Sequence, residues 1–245
     1  MNRKTITFHE IHEEYCDFID ACAKFSCFTR SEEIQREKVA ECENYLEVIR
    51  AYKYQAINKG DSDWANEFFH MQCMINAMHS FLLMWINLKA GDYSKSWSNL
   101  VDSQEYVSVA RRIHNYEGVH NLEHRLNSAE TAIFPGWSVY NSPGFLETIG
   151  KCSVCNFPFY ECDHIENKIY SGKLCQRVDR EVIKTDHFAL VKEPRDRRCI
   201  ITKISDDNGN ELDYFTWERT GKKTDPEDGM HVEGVMFSIP TLDFS

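Results

Sequence analysis

Basic residues are in the minority in this chain. Its 245 residues include 28 lysines and arginines against 39 aspartates and glutamates, and the formal net charge is −11. Because nucleic-acid affinity depends largely on clustered lysine and arginine, this balance disfavours a general phosphate-binding surface. Nucleic acid as a partner would require a local basic patch.

Long apolar runs are missing as well. The longest run, residues 81–86, is far too short to cross a bilayer, and the N-terminal segment lacks the apolar core of a signal peptide. We therefore expect a soluble, cytoplasmic protein that does not bind membranes.

Several sequence signatures of enzymes are also absent. The chain has no glycine-rich phosphate loop, no dinucleotide-binding fingerprint and no nucleophile elbow. These absences weaken an enzymatic interpretation without excluding it.

The first half of the chain has the periodicity of helices. Apolar residues recur at steps of three and four from Phe8 to Phe25, which predicts a first helix. Thr29 with Glu32 resembles a capping box and predicts the start of a long second helix that ends near Gly60.

A third helix is predicted to open at Asp61 and to end at Gly91. Its apolar residues cover so wide an arc that we expect a central position in the fold. Further helices are predicted around residues 97–113 and 119–133. Residues 1–134 are therefore predicted to form an all-α helical bundle.

The pattern changes after Pro135 and Gly136, where helical periodicity stops. The Asn208 and Gly209 pair suits the positive φ angles of a tight hairpin turn. Four β-like runs are predicted, at residues 182–191, 199–205, 212–217 and 232–239. The predicted fold class is α+β, with the helical bundle followed by a small zinc-binding antiparallel β domain at residues 145–245.

Ten cysteines divide into two groups. Reduced cysteines within helical patterns behave as small apolar residues, so we assign the five early ones to packing. They are Cys16, Cys22, Cys27, Cys42 and Cys73. Four of the later five crowd together with a histidine, which is typical of metal sites in reducing compartments.

The later group predicts one zinc ion. Its candidate ligands are Cys152, Cys155, Cys162, His164 and Cys175. Two cysteines separated by two residues can bind one ion, and the turn between them exposes backbone amides to the thiolates. Asn156 directly after this pair tolerates the left-handed conformation that such a turn favours.

Structural zinc is almost always four-coordinate, so five candidates are one too many. Cys152, Cys155 and Cys175 are the firmest candidates. Cys162 and His164 are two residues apart and in an extended segment would point to opposite sides, so the fourth ligand is one of these two.

The predicted zinc is structural rather than catalytic. A catalytic zinc usually keeps three protein ligands and a water, whereas here ligands are in surplus. Glu161, Asp163 and Glu166 could supply a general base, but the deaminase pattern that pairs such a base with zinc is absent.

Residues 150–176 resemble the zinc-ribbon and treble-clef class of zinc modules. The order of the pair Cys152 and Cys155, then Cys162 and His164, then Cys175 after Gly172 is also similar to a segment of some tailed-phage capsid-assembly proteins and of bacterial proteins. Asn167 stands where that pattern has glycine. The resemblance implies a bacterial or phage source and transfers no enzymatic mechanism.

Two other groups of residues suggest chemistry. Glu67 with His70, and Glu117 with His120, match the pair that di-iron bundles use on two of four helices, and Glu47 and Glu105 could be the lone carboxylates of the other two. Glu105 lies well before the turn near Asn115 and Glu117 just after it, so the four groups would not lie level along the helices. We interpret Glu67 and His70 as a solvated helix end.

Three arginines, Arg195, Arg197 and Arg198, fall on a predicted loop, where they could hold a phosphate or an acidic partner. Pairing with neighbouring acids is the alternative.

The sequence thus favours a non-enzymatic interaction protein with one structural zinc, acting with protein partners in a larger bacterial or phage complex, for example in defence. One alternative is a hydrolase or nuclease that depends on zinc or on the His and Glu residues of the bundle. Another is a nucleic-acid-binding protein that uses the arginine loop.

Overall fold

The computed structural model of the protein describes residues 7–238 and 242–244. Within them, five α-helices precede a set of short antiparallel β-strands, which confirms the predicted α+β class. The helices are α1 (Phe8–Ala23), α2 (Glu32–Asn58), α3 (Ser62–Lys89), α4 (Tyr93–Ile113) and α5 (Glu117–Ile133). None of the helices in the described part combines the length and apolarity needed to span a bilayer.

Helix α3 is the centre of the helical part, as predicted. It packs against α2 and α4 and buries side chains around its whole circumference, among them Phe69, Cys73, Ile75 and Leu82. Burial on every side is the reason that its sequence is apolar over such a wide arc.

Side-chain caps set the helix starts. Asp61 caps α3 by accepting a hydrogen bond from the backbone N–H of Trp64 at 3.2 Å, as predicted. The prediction that Thr29 caps α2 is wrong, because Ser31 occupies that position and the Thr29 hydroxyl accepts from the Ser31 N–H in the turn before it.

The early cysteines only partly follow their assignment to packing. Cys22, Cys42 and Cys73 are buried, but Cys16 and Cys27 are exposed. The assignment is wrong for these two, because Cys16 lies on the outer side of α1 and Cys27 in the loop after it.

The β part consists of short strands. They are β1 (Tyr140–Glu147), β2 (Lys151–Cys152), β3 (Ile169–Tyr170), β4 (Lys173–Leu174), β5 (Arg177–Val178), β6 (Val182–Val191), β7 (Ile201–Ser205), β8 (Asn210–Asp213), β9 (Arg219–Lys223) and β10 (Val232–Gly234). Strands β1 and β6 form a two-stranded ribbon, and a four-stranded sheet has the order β10-β7-β8-β9. The pairs β2 with β5 and β3 with β4 make two further small sheets.

The strand predictions are correct in place and partly wrong in extent. The run at 182–191 is confirmed, and the run at 199–205 contains β7. The run at 212–217 ends early, because the Asp213 carboxylate accepts from the N–H groups of Phe215 and Thr216 and turns the chain. Strands β1 to β5 and β9 were not predicted, and the five residues of β9 are all exposed.

Two further predictions concern this sheet. The hairpin between β7 and β8 is confirmed, but only Gly209 of the predicted pair has a positive φ, at 76°. Asn208 is held instead by its N–H, which donates to Asp206. The predicted run at 232–239 contains β10, and its residue 239 lies outside the described residues.

The chain divides into two compact units. The helical unit comprises residues 1–126 together with 169–173, and the β unit comprises residues 127–168 and 174–245. Residues 169–173 join the helical unit through the Gly172 N–H, which donates to Asn66 at 2.8 Å, and through the hydroxyls of Ser171 and Ser62. The domain bounds predicted from the sequence, 1–134 for the helical bundle and 145–245 for the β domain, stay a prediction.

Candidate metal centre

Four of the predicted ligands meet in the β unit. The sulfurs of Cys152, Cys155 and Cys162 and a ring nitrogen of His164 all lie within 4.8 Å of one another. We name these four residues, together with Cys175, the cysteine–histidine cluster. Cys152 and Cys175 are buried, whereas the other three are half-buried.

A tight turn after β2 presents the first two ligands. Cys152 ends β2, and the Asn156 N–H donates to the Cys152 carbonyl at 2.8 Å, which closes the turn. Asn156 has a φ of 61°, so the predicted left-handed conformation is confirmed. Pairing of Cys152 with Arg177 on β5 fixes the start of the turn.

The pair Cys162 and His164 follows a short 3-10 helix at Phe159–Glu161. The Cys162 sulfur stays close to the Phe159 carbonyl, at 3.6 Å, so it is turned back toward that helix. Both Cys162 and His164 therefore come within reach of the first two cysteines. The side chains of Cys162 and His164 are thus not separated by pointing to opposite sides, as was expected for an extended segment.

Cys175 comes back to the cluster after β3 and β4. Its N–H donates to the Lys168 carbonyl and its carbonyl accepts from the Asn167 N–H, so the two ends of this hairpin are tied together. Asn167 is left-handed, with a φ of 66°, a conformation that glycine adopts without strain. The Cys175 sulfur lies 3.7 Å from that of Cys152.

The separation of the Cys152 and Cys175 sulfurs is close to that expected around a zinc ion. Two thiolates bound at about 2.3 Å on a tetrahedral ion lie about 3.8 Å apart, close to the observed separation of Cys152 and Cys175. Soft thiolates with an imidazole suit zinc, as they do copper(I) and iron–sulfur clusters, so zinc as the identity of the ion stays a prediction. The cluster could therefore hold a metal ion, with five donors for four positions.

The thiols differ in their acidity. Burial raises the pKa of Cys152, but N–H groups of Cys155 and Val154 donate to its sulfur and the pKa falls to about 7. Burial and the neighbouring Cys152 sulfur raise the pKa of Cys175 to about 12. Because zinc binds thiolates, a bound ion would displace the remaining protons.

A second group of potential ligands, Glu211, His231 and Glu233, has a different character. The Lys203 ammonium donates to Glu233 at 2.7 Å and lies 3.7 Å from Glu211, and the Thr220 hydroxyl also donates to Glu211. The carboxylates are thus neutralised by an ion-pair network on the four-stranded sheet.

The three loop arginines are each paired with a carboxylate. Arg195 lies 3.6 Å from Glu147, Arg197 pairs with Glu130, and Arg198 pairs with Asp196 at 2.9 Å. Their side chains are 61%, 36% and 3% exposed, so Arg195 is the one most open to an anion. Anion binding by this loop stays a prediction.

The interpretation of His70 as part of a solvated helix end is wrong. Its side chain is 3% exposed, and its Nδ1 lies 3.0 Å from the Ala110 carbonyl. Glu67 is half-buried beside His114, at 2.7 Å. The signal in the sequence was the Glu67 and His70 pair itself, but the partners of these two residues lie 40 and 47 residues away along the chain.

Comparisons of the chain with protein-family models, with curated proteins and with solved structures find no match. The likeness of residues 150–176 to zinc modules therefore depends on the spacing of cysteine and histidine alone.

Proposed function

We propose that this protein is a non-enzymatic interaction protein whose β unit is stabilised by one structural zinc ion. The observation that supports this proposal is the convergence of the donor atoms of Cys152, Cys155, Cys162 and His164 within 4.8 Å. A fifth donor, Cys175, lies beside them.

A structural role fits the number and type of donors. A catalytic zinc keeps a coordination position for water, and a site with four or five protein donors offers none. Three or more thiolates also reduce the positive charge that the ion can present to a substrate. Both features favour stabilisation over hydrolysis.

The β unit needs such stabilisation. Strands β2 and β5 are two residues long each and hold the cluster between them. Pairs of strands this short have little stability in water without further support. Zinc binding adds its own free energy to folding, because the site does not exist in the unfolded chain.

The ribbon of β1 and β6 supports the interaction role. Four large apolar side chains on it, Leu146, Ile183, Phe188 and Leu190, are each 57–62% exposed. Phe188 and Leu190 are two residues apart on β6 and so point to the same face, and exposed apolar side chains grouped on one face are typical of a protein-binding surface. We propose that an apolar protein segment binds this ribbon, that the acidic helical unit provides a second docking surface, and that the protein acts within a bacterial or phage complex, for example in defence.

Metal content tests the structural role. Purified protein is expected to contain one zinc per chain, and Cys152→Ser is expected to lose the metal and to become poorly soluble. Cys27→Ser is the matched control, because Cys27 is an exposed cysteine of the helical unit. A Cys152→Ser protein that stays folded and loses a measurable hydrolytic activity would contradict the proposal.

Partner binding tests the interaction role. Proteins that co-purify with the chain are identified by quantitative mass spectrometry and then reconstituted in purified form. Phe188→Asp is expected to abolish binding of the reconstituted partner, while Thr185→Asp, an exposed polar position on the same strand, retains it. Equal binding by both variants would remove the ribbon from the proposal.

A further inference from the structure

The helical unit contains a cavity that the metal centre does not involve. It has a volume of about 460 Å³ and lies between α1, the first half of α3 and the segment that joins α4 to α5. This volume is in the range of small-molecule sites. We call it the aromatic cavity, after the side chains described next.

Aromatic rings form much of its wall. Phe8 and Trp64 lie edge to face with ring centroids 3.9 Å apart, and Tyr15 and Tyr116 add two further rings. The faces of aromatic rings carry negative partial charge and attract cations, tryptophan most strongly.

A neutral histidine forms part of the interior. The Ala110 carbonyl can only accept a hydrogen bond, so the His70 Nδ1 must carry the proton that it donates over 3.0 Å. The His70 Nε2 is then an acceptor, and the Tyr116 hydroxyl donates to it at 3.1 Å. Burial lowers the pKa of His70 to about 4, so the ring adds no positive charge at neutral pH.

The charged groups of the wall are acidic. Asp63 and Glu67 both line the cavity, and the Glu67 side chain is 33% exposed, so a ligand can reach it. Among the described residues that line the cavity, none is a lysine or an arginine. The wall thus carries two carboxylates, of which Glu67 also contacts the His114 ring at 2.7 Å, and this composition disfavours a phosphate or a carboxylate ligand.

The Tyr15 hydroxyl belongs to the same wall. It is screened from solvent and lies beside the Tyr116 hydroxyl without a hydrogen bond of good geometry. A buried hydroxyl without such a bond is unfavourable, and a bound water or ligand would satisfy it.

We propose that the aromatic cavity binds a small organic cation, an ammonium group attached to an apolar or aromatic body. The rings of Trp64 and Phe8 face the cation, and the Glu67 carboxylate balances its charge. The proposal is independent of the zinc site and of the ribbon.

Three probes of similar shape and different charge test it: benzylammonium, benzyl alcohol and benzoate. Binding to the full-length protein is followed by the shift of the Trp64 indole N–H resonance, assigned with a Trp64→Phe variant. Benzylammonium is expected to bind at least about tenfold more tightly than benzyl alcohol, as cation–π and carboxylate contacts predict, and benzoate is expected not to bind.

Variants locate the binding. Glu67→Gln and Asp63→Asn are each expected to weaken benzylammonium binding several-fold, while Glu14→Gln, an exposed change on α1 away from the cavity, leaves it unchanged. Far-UV circular dichroism checks that each variant is folded. Two carboxylates are replaced separately so that the test can still be made if one of the two variants does not fold. The proposal is overturned if benzoate or benzyl alcohol binds as tightly as benzylammonium, if no cation binds, or if a folded Glu67→Gln or Asp63→Asn protein binds as the wild type does.

Discussion

A single buried imidazole should make the stability of the helical unit depend on pH. Burial lowers the pKa of His70 to about 4, against 6.5 for an unperturbed histidine. Between these values the unfolded chain binds a proton that the folded chain does not, so stability falls as the pH falls from 6.5 toward 4. His12 and His114 oppose the added charge, and the Tyr116 hydroxyl is the hydrogen-bond partner of the His70 Nε2.

The test compares the wild type with His70→Gln by urea unfolding at pH 7.5 and pH 4.5. The wild type is expected to lose about 2 to 3 kcal/mol more than the variant over this interval, which is the free energy of the pKa difference. Other groups titrate in both proteins and cancel in the difference. An equal loss in the two proteins would show that His70 does not carry the effect.

The candidate metal ligands outnumber the positions around a zinc ion. Because zinc takes four donors and five are present, one of Cys162, His164 and Cys175 is dispensable. Single variants Cys162→Ser, His164→Asn and Cys175→Ser are expected to divide into two that lose the metal and one that keeps it. Metal content measures this, and cobalt substitution gives the number of thiolates. Loss in all three, or retention in all three, would contradict a four-coordinate site drawn from these five residues.

Contacts between residues close in sequence could be predicted correctly, whereas contacts between residues far apart in the chain could not. The left-handed Asn156 and the meeting of Cys152 with Cys155 follow from a turn of a few residues. The burial of His70 depends instead on contacts with Ala110 and Tyr116, which only the packing of the helices brings to it. For the same reason, no local pattern in the sequence indicates the aromatic cavity.

Helices α2 and α3 share a buried polar contact. The Lys53 ammonium, 0% exposed, donates to the Gln72 side-chain carbonyl at 2.7 Å and lies 5.3 Å from the ring centroid of Phe69. Gln72→Leu removes an acceptor from a buried charge and is expected to lower the free energy of unfolding by about 2 kcal/mol.

The double variant Lys53→Met with Gln72→Leu provides the control. It removes the charge together with its acceptor, and apolar side chains of similar volume are tolerated in such places, so it is expected to recover most of the lost stability. Thermal and urea unfolding are measured for the wild type, Lys53→Met, Gln72→Leu and the double variant, which together form a double-mutant cycle. A double variant less stable than Gln72→Leu would show that the contact is not the source of the effect.

The elements themselves were predicted better than their ends. The breadth of the apolar arc identified α3 as central, because burial on all sides is written into its composition. The end of β8 was missed because the Asp213 side chain competes with the strand for the next N–H groups. Strand β9 was missed because its exposed residues show no apolar alternation.

For the whole molecule, removal of the metal should affect the two units differently. A zinc chelator is expected to increase hydrogen exchange in β1, β2, β5 and β6 while the exchange of α2, α3 and α4 stays unchanged, because the helices have a separate core. Hydrogen exchange with mass spectrometry, before and after chelation and after zinc is restored, measures this. Equal loss of protection in α3 would mean that the units unfold together.

The assignment of residues 169–173 to the helical unit has a consequence for the order of folding in the cell. Synthesis proceeds from the N-terminus, so all five helices are made before this segment exists. The Asn66 side chain therefore has no Gly172 N–H to accept until four of the five residues of the cysteine–histidine cluster have been translated. The first unit to be synthesised is thus completed only while the ribosome is making the second.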